Sequence, residues 1–446
     1  MLIGFRVENW KSYSDPAELN LVASRERRGR ASLSSVDGFR SLKVLPTAAI
    51  YGGNASGKTS LFQALDFLRN FIVLGVGVGE PVPVAPFRLD PKLQASPTSF
   101  EVTFLANGIV YQLLANVSRD NVHSESLWVM KDKHDPILVY SREGGNYEFG
   151  EGAFSEPERT EFVAKGTRAN QLFINAAAQQ SVAEIMGAYA WFRDSLALVG
   201  VSSQNRSLGL YYTRPNFLEF ASATLSSLDT GIDSISGDEV DVDSLPLPKE
   251  VLSSLAVSDN PSEQRSMVLR MEQSGDYPSD MFFIDRDEGG IRARRLVTKH
   301  RNSEGRLVPF PLALESSGSR RLVELMPMLF DLLGGFEDSK RVYVVDELDR
   351  CLHSMLTSKL VDGFLRTCGP TSHRQLLFTT QDLLLMDQSV LRRDEMFITE
   401  RDGEGRSSLV RLDEYEGLRP DLDLLKSYLD GRFGGVPMFR DDIGGE

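Results

Sequence analysis

The segment GGNASGKT, residues 52–59, constrains the fold of this chain more than any other stretch of its sequence. It fits the pattern G-x-x-x-x-G-K-[ST] and lies between an apolar segment, KVLPTAAIY, and the segment TSLFQALDFLRNFI. Apolar residues in the second segment recur at spacings of four, three and four, as on one face of a helix: Leu61, Leu65, Leu68 and Ile72. The sequence therefore predicts a strand, a glycine-rich loop and a helix, in that order.

Glycines in such a loop let backbone N–H groups come close to a phosphate, and the positive N-terminus of the following helix attracts it. We therefore predict a nucleotide site in which Lys58 reaches the β- and γ-phosphates and the Thr59 hydroxyl binds Mg²⁺. The predicted nucleotide-binding residues are Gly52, Asn54, Ala55, Ser56, Gly57, Lys58, Thr59 and Ser60. The flanking strand and helix disfavour the alternative, a chance match to the pattern.

A second segment, RVYVVDELD at residues 341–349, supplies acids of the kind that a phosphate loop needs. Its β-branched and aromatic residues are typical of a buried parallel strand, and functional groups lie beyond the carboxyl end of such strands. Asp346 is the predicted Mg²⁺ ligand, and Glu347 is the predicted catalytic residue that polarises the attacking water. The alternative is a pair of solvated acids, but two uncompensated acids at a buried strand end are costly without a metal.

A long insertion separates the two motifs, because Lys58 and Asp346 lie 288 residues apart, 346 minus 58. Just before the second motif, the turn ESSGSRR opens an amphipathic helix. Ser316 and Gly318 in this turn offer hydrogen-bond donors at a helix N-terminus, which favours a second anion site. Serine is equally a favoured helix cap. The local sequence leaves both interpretations open: a contact to the nucleotide of another copy, or a plain N-cap.

Together the motifs resemble those of ABC-class ATPases of the SMC/RecF kind, and specifically the shorter "AAA-fifteen" proteins of bacterial defence operons. ENWKSY is similar to their N-F-[RK]-S-[FY], YGGNASGKTS to their YGPNGSGKS, and ESSGSRRL to their LSGGQ-type signature. DELDRCLH is similar to D-E-[IL]-[DE]-x-x-L-H, FTTQD to the switch strand T-[ST]-H-D, and KSYLDGRFGGVP to the closing motif K-x-Y-L-x-G-R-[FY]-G-[AG]-[IV]-P. The motifs run from residue 6 to 437 in the family order.

The resemblance implies an α/β fold, an ABC-type P-loop ATPase head with a mixed sheet, an antiparallel β subdomain and a helical insertion. It implies an N-terminal ATPase lobe over residues 1–157, a helical insertion over 158–285 that forms a lid or docking arm, and a C-terminal ATPase lobe over 286–446. It also places Lys11 among the nucleotide-binding residues. His353, at the position of the D-loop aspartate, would lie at a dimer seam.

The chain departs from the family pattern at two positions. Gln381 stands where relatives place a histidine against the γ-phosphate, and an amide donates a hydrogen bond but carries no positive charge. Gln381 is therefore a second predicted catalytic residue. With an amide at this position, hydrolysis would be slow or differently gated. In the signature, Ser317 replaces the second glycine, which adds a donor but restricts the backbone.

The resemblance implies a protein that sandwiches two ATP molecules between two copies of itself. It also implies control of a partner effector from the same operon, a nuclease or toxin, in anti-phage defence. Two other hypotheses stay open: a RecF-like DNA-repair ATPase that acts on DNA directly, and an ATP-binding scaffold with little hydrolysis. We find no second catalytic constellation, so the effector chemistry is expected on another chain.

Charge and composition limit the partners and the location. The net charge of −14 argues against a surface that binds nucleic acid throughout. Two basic segments, SRERRGR at residues 24–30 and RARRLVTKHR at residues 292–301, leave nucleic acid or an acidic partner open, beside their interpretation as solvated faces. No apolar run approaches the roughly 18 residues of a membrane span, and the only cysteines are Cys351 and Cys368. These features favour a cytoplasmic protein without a membrane partner.

Overall fold

The computed structural model describes residues 1–39, 41–131, 136–200, 211–212, 214–228, 230–242, 245, 266–271, 280–287, 290–334, 340–419 and 422–436. The chain divides into two compact units. The first unit comprises Met1–Ser203, Asp338–Asp349 and Thr357–Glu446. The second comprises Gln204–Glu337 and Arg350–Leu356. The three-part division at residues 157 and 285 stays a prediction.

The strands are numbered in chain order. Ten strands are described in the first 150 residues: β1 Leu2–Glu8, β2 Ala17–Asn20, β3 Ser34–Ser35, β4 Lys43–Val44, β5 Thr47–Tyr51, β6 Thr98–Ala106, β7 Ile109–Val117, β8 Val122–Met130, β9 Pro136–Glu143 and β10 Asn146–Phe149. Ten more are described after residue 195: β11 Leu196–Val199, β12 Ile232–Val240, β13 Ser266–Met271, β14 Asp280–Asp287, β15 Gly290–Arg301, β16 Leu307–Pro311, β17 Val342–Val345, β18 Gln375–Thr379, β19 Met396–Arg401 and β20 Ser407–Arg411.

The α-helices of the described ranges are numbered in the same way. They are α1 Lys58–Val73, α2 Pro91–Gln94, α3 Pro157–Gly166, α4 Phe173–Gln179, α5 Ala183–Ala190, α6 Pro215–Ser227, α7 Ser317–Leu332, α8 Ser354–Thr367 and α9 Leu424–Leu429. None of these described helices is long and apolar enough to cross a membrane.

An antiparallel sheet of the first unit is built from sequence-adjacent strands, in the order β10-β9-β8-β7-β6-β1-β2. Along β6 the buried residues alternate with half-buried ones, and Phe100, Val102 and Phe104 lie on the core face. Asn107 and Gly108 both adopt positive φ, as the tight turn between β6 and β7 requires. The predicted antiparallel β subdomain is therefore present.

A mixed sheet of the first unit has the order β11-β17-β18-β5-β19-β20, with parallel pairing throughout except for β20. All residues of β5 and β17 are buried, as their apolar sequences predict for strands covered on both faces. Helix α1 buries Leu61, Leu65, Leu68 and Ile72 in the main core. Because the strands are parallel, the loop after β5 and the acids after β17 lie at the same edge of the sheet.

The second unit contains an antiparallel sheet in the order β12-β15-β14-β13, with β16 also paired to β15. Between residues 158 and 285 the structure has the helices α3 to α6, but also β11 and three strands of this second sheet, β12 to β14. The predicted helical insertion therefore contains more β structure than its sequence texture indicated. Residues 201–210 and 246–265 of that insertion lie outside the described residues. The mixed α/β fold class predicted from the sequence is confirmed.

Candidate nucleotide-binding site

The loop between β5 and α1 has a backbone that only small residues allow. Gly52 has φ of +149°, and a Cβ atom there would lie 2.4 Å from the carbonyl oxygen of Thr399. Gly57 has φ of +114°, and a Cβ atom there would lie 2.7 Å from the Ser407 hydroxyl. Ala55 adopts the left-handed region with φ of +61°, where a glycine is the usual choice. The loop is therefore a turn that is closely packed at Gly52 and Gly57.

Residues from the far end of the chain hold this loop in place. The Ser56 hydroxyl lies 2.5 Å from the Thr399 hydroxyl of β19, and Thr399 also donates to the Tyr51 carbonyl at 3.1 Å. Ser56 is buried, whereas Asn54 and Ala55 are exposed and Ser60 is half-buried. The tip of the loop is thus open to a ligand while its base is fixed to the sheet.

Lys58 is the first residue of α1, and its ammonium group points back over the loop. Its Nζ donates to the carbonyl oxygens of Gly52 at 2.6 Å and Gly53 at 3.0 Å. The lysine is 7% exposed, and burial lowers its pKa although nearby carboxylates, with Asp346 foremost, oppose that shift. A buried cation held by two carbonyl oxygens inside a glycine-rich loop has the position and charge needed to meet a phosphate.

Asp346 follows the last residue of β17. Its carboxylate accepts hydrogen bonds from helix α1 and from the neighbouring strand β18. The Thr59 hydroxyl donates to its carboxylate, at 2.9 Å to Oδ2 and 3.2 Å to Oδ1. The Thr379 hydroxyl at the end of β18 donates to Oδ1 at 2.7 Å. Three oxygen-bearing side chains from three elements, Thr59, Asp346 and Thr379, therefore converge at the edge of the mixed sheet.

Glu347 follows with a backbone conformation that is unusual for a glutamate. Its φ is +51°, in the left-handed region, which costs about 1–3 kcal/mol for a residue with a side chain. The strand β18 holds it there, because the Glu347 N–H donates to the Thr379 hydroxyl at 2.7 Å and the Leu348 N–H donates to the Thr379 carbonyl at 3.1 Å. Such strain is concentrated at functional sites, and here it turns Glu347 immediately after Asp346.

Gln381 is exposed and lies just beyond β18. Its backbone N–H donates to Asp349 Oδ2 at 3.3 Å, so the segment after β18 is tied to the turn after β17. The predicted residues Lys58, Thr59, Asp346, Glu347 and Gln381 all belong to the same unit. Thr59 is hydrogen-bonded directly to Asp346, and Thr379 links Asp346 to the Glu347 backbone.

The residues at this edge fit Mg²⁺ in the form in which proteins usually bind it with a nucleotide. Mg²⁺ prefers oxygen ligands and is commonly held by one or two carboxylates together with phosphate oxygens. Asp346 provides a carboxylate, and Thr59 provides a hydroxyl within 2.9 Å of it. In the described part of the chain no group of three or more His, Cys, Asp or Glu residues is arranged to hold a metal by itself. Asp346 and Thr59 therefore suit a metal whose remaining ligands include phosphate oxygens.

The turn between β1 and β2 lies against the start of α1. The Trp10 indole N–H donates to the Ser60 carbonyl at 2.9 Å, and the Tyr13 hydroxyl donates to the Gly57 carbonyl at 3.2 Å. Lys11 has φ of +48° and donates from Nζ to the Gln63 side chain at 2.5 Å. The predicted nucleotide-binding residue Lys11 therefore lies beside the first turns of α1, half-buried, and burial lowers its pKa.

The predicted signature residues lie in the second unit. Ser316 is the N-cap of α7, and its hydroxyl accepts a hydrogen bond from the Ser319 N–H at 3.1 Å. A Cβ atom on Gly318 would lie 2.8 Å from the Cys351 carbonyl oxygen, so this glycine allows a close backbone approach. His353 is exposed, and its Nδ1 accepts from the Met355 N–H at 3.2 Å. Within one chain these residues have structural roles, and their contact with a nucleotide stays a prediction.

Sequence reasoning missed three residues that shape the site: Thr379, Asp349 and Thr399. Thr379 and Asp349 lie within quoted motifs, FTTQD and DELD, but their roles depend on the pairing of β17 with β18. Thr399 lies in DEMFITERD and carries no local signal, since its partner Ser56 is 343 residues away in sequence. Only the order of strands in the mixed sheet brings these groups together.

The chain was compared with protein families, curated proteins and solved structures. A family model described as "AAA domain, putative AbiEii toxin, Type IV TA system" matches residues 48–387. The chain belongs to this family and carries an AAA-type ATPase domain. No curated protein matches it.

Two SMC heads are similar to the chain among solved structures. The SMC head domain from Thermotoga maritima has 13% sequence identity and a TM-score of 0.36, with 92% of this chain and 98% of that chain covered. An SMC head bound to the C-winged helix domain of ScpA has 10% identity and a TM-score of 0.39, with 92% and 97% covered.

Proposed function

We propose that this protein hydrolyses ATP and uses the reaction as a switch. The observation that carries the proposal is the linked set of Thr59, Asp346, Thr379 and Glu347 beside Lys58. Lys58 neutralises phosphate charge, and Asp346 with Thr59 holds the metal. Mg²⁺, when bound, supplies the charge that offsets the negative phosphate oxygens. Glu347 accepts the proton of the attacking water, because its carboxylate follows directly on the metal ligand.

We propose further that two copies close around two nucleotides. In this arrangement Ser316 and Gly318 of one copy face the nucleotide held by Lys58 of the other, and His353 lies at the seam. The resemblance of ESSGSRRL and DELDRCLH to family motifs supports this proposal. So does the position of Ser316 and Gly318 at the N-terminus of a sixteen-residue helix, which favours an anion.

The biological output we propose is control of an effector protein, a nuclease or toxin from the same operon, in anti-phage defence. The family description supports a role of this kind, since it names an AbiEii toxin and a Type IV TA system. The motif resemblance to defence proteins supports it independently. The chain would act in the cytoplasm, with ATP and Mg²⁺ as its ligands. A RecF-like DNA-repair ATPase is the alternative, and co-purification of a partner chain from the native operon separates the two.

A second candidate function is an ATP-binding scaffold with little hydrolysis. The specific observation in its favour is Gln381, which is exposed at the end of β18 and whose amide carries no charge. A neutral amide stabilises developing negative charge less than a protonated histidine does. Single-turnover hydrolysis separates the two functions: a scaffold binds ATP and leaves it intact over many minutes.

Mixing two inactive variants tests the shared site. Lys58→Ala removes the phosphate contact, and Ser316→Arg places a bulky cation where the other copy must approach. Each variant alone should be inactive, and an equal mixture should recover about a quarter of wild-type activity, because half of the dimers are mixed and each mixed dimer keeps one complete site of two. Steady-state hydrolysis measures this, with subunit exchange verified by crosslinking.

Ser316→Ala is the matched control for this experiment. It removes the cap of α7 without adding bulk or charge, so it should keep most of the hydrolysis if Ser316→Arg acts by blocking closure. A mixture as inactive as its parts would contradict the shared site and favour a cap role alone.

A further inference from the structure

One of the two basic segments forms a wall of a cavity in the first unit. The cavity has a volume of about 370 Å³ and is lined mainly by Ser24, Arg25, Arg30, Leu33, Ser41 and Lys43. We call it the basic pocket. Its walls come from the loop after β2 and from the short hairpin of β3 and β4, and it shares no lining residue with the nucleotide-binding site described above.

Three cationic side chains line the basic pocket: Arg25, Arg30 and Lys43. Among the described residues, no carboxylate lies within ion-pair distance of Arg25, Arg30 or Lys43. Arg30 donates to the Glu26 carbonyl at 3.1 Å and Lys43 to the Ser35 hydroxyl at 2.6 Å, which are neutral acceptors. Three like charges around one cavity repel one another, and the chain as a whole carries −14.

Hydrogen bonds hold the backbone of the pocket at Ala23, Ser24 and Lys43. The Ser24 N–H donates to Asp394 Oδ2 at 2.7 Å, and the Arg393 N–H donates to the Glu26 carboxylate at 3.0 Å. This second bond holds the acid of the segment, Glu26, against the backbone of Arg393. Asp394 is itself paired with buried Arg392 at 2.7 Å. The two walls are joined by the Ala23 N–H, which donates to the Lys43 carbonyl at 2.9 Å.

The chemistry of the lining selects the ligand. Guanidinium and ammonium groups with two serine hydroxyls match the oxygens of phosphate, and arginine in particular binds phosphate through parallel hydrogen bonds. Among the described residues, the lining includes no aromatic side chain on which a base could stack. A cavity of this volume suits a compact ligand rather than a long strand.

We propose that the basic pocket is a second anion site of this protein, which binds the phosphate groups of a compact phosphorylated ligand. The pocket works independently of the phosphate loop. Because the backbone at Ala23, Ser24 and Lys43 is already hydrogen-bonded, the entropy lost on binding is mainly that of the three cationic side chains. Because the recognition is by charge, affinity should fall as the salt concentration rises.

Pyrophosphate titrated by calorimetry into the Lys58→Ala protein tests the proposal, since this background weakens phosphate binding at the loop. Binding should persist there and fall at least about 100-fold when Arg25, Arg30 and Lys43 are all changed to Gln, because the triple change removes the charge-assisted hydrogen bonds that these side chains offer. Arg119→Gln, at another exposed arginine, is the matched control and should leave binding unchanged. All three altered side chains are exposed, so folding should be kept, which a thermal melt verifies.

Three further results would overturn the proposal. The first is a failure in the Lys58→Ala background: either pyrophosphate does not bind at all, or it binds with the same affinity before and after the triple change. The second is an oligonucleotide that binds more tightly than pyrophosphate whether or not it carries a 5′-phosphate, which would indicate a nucleic-acid surface. The third is a hexa-aspartate peptide that binds while pyrophosphate does not, which would indicate an acidic protein partner. ATP binding by the triple variant with Lys58 intact should be normal, so a failure of the pocket is distinguishable from a failure of the phosphate loop.

Discussion

The helices α1 and α7 both start in turns of small residues, yet their first turns are built differently. At α1 the N-cap is Gly57 in the left-handed region, with no side chain that accepts from the helix N–H groups. At α7 the N-cap is Ser316 in extended backbone, and its hydroxyl accepts from the Ser319 N–H. The first helix leaves its donors to a ligand, whereas the second partly satisfies its own.

The two turns also differ in backbone conformation. The turn before α1 has three residues at positive φ, Gly52, Ala55 and Gly57, whereas Ser316 has φ of −60°. A strained turn without a cap is less stable than a capped one unless another interaction holds it, here the hydrogen bonds from Thr399. The difference indicates that the start of α1 is shaped for a ligand in the single chain. For α7, the proposed ligand role requires a second copy.

The largest expected effect is on ATP binding at α1. Lys58→Ala should weaken ATP binding at least about 100-fold, because it removes a buried charge whose hydrogen bonds to charged groups are worth about 1.5–3 kcal/mol each. Ser316→Ala should change the affinity less than about twofold under the same conditions. Calorimetry with Mg²⁺ and ATP measures both. Micromolar ATP affinity in the Lys58→Ala variant would contradict the assignment of the phosphate loop. A large loss of ATP affinity in the Ser316→Ala variant would contradict the difference between α1 and α7.

The next effect separates chemistry from binding at the edge of the mixed sheet. Glu347→Gln should slow hydrolysis about 10²- to 10⁴-fold while ATP binding is retained, since the base is lost and the metal ligand stays. Asp346→Asn should instead weaken Mg²⁺-dependent ATP binding. Single-turnover hydrolysis and calorimetry distinguish the two variants. Unchanged turnover in Glu347→Gln would show that another group is the base.

The smallest effect concerns the stability of α7. Ser316→Ala should lower the free energy of unfolding by about 1 kcal/mol, because it removes the hydroxyl that accepts from the Ser319 N–H. Ser316→Asp should restore most of this loss, since aspartate caps helices as well as serine does. Urea denaturation measures both. A Ser316→Ala protein as stable as the wild type would mean that the cap contributes nothing and that the turn has another purpose.

Local patterns were sufficient for the elements that carry the predicted site. The glycine-rich loop, the periodic apolar residues of α1 and the continuous apolar run of β17 each lie within about 15 residues, so neighbours in sequence determine them. The same holds for the hairpin of β6 and β7, whose turn Asn107-Gly108 needs positive φ at both positions.

Elements that depend on distant partners could not be predicted. Strand β12 has the sequence IDSISGDEV, whose many polar residues are typical of a loop. Only Ile232 and Ile235 of this strand are buried. It is a strand because β15 pairs with it, some 60 residues further along the chain. Likewise β11, LALV, continues a helical texture and is a strand because it pairs with β17. The threonines of the site, Thr379 and Thr399, gain their roles from the same long-range pairing.

The position of β5 in its sheet has a consequence for synthesis of the chain. Its two neighbours are β18 and β19, and both lie after residue 374 in the sequence. The antiparallel sheet of the first unit, in contrast, uses only strands before residue 150. Between Tyr51 and Gln375 the ribosome adds 324 residues, 375 minus 51, which takes roughly 15 to 65 s at about 5–20 residues per second. During that interval β5 has neither partner, and its apolar side chains lack their final cover. A nascent chain stalled before residue 375 therefore carries the whole GGNASGKT sequence without a folded loop to bind phosphate.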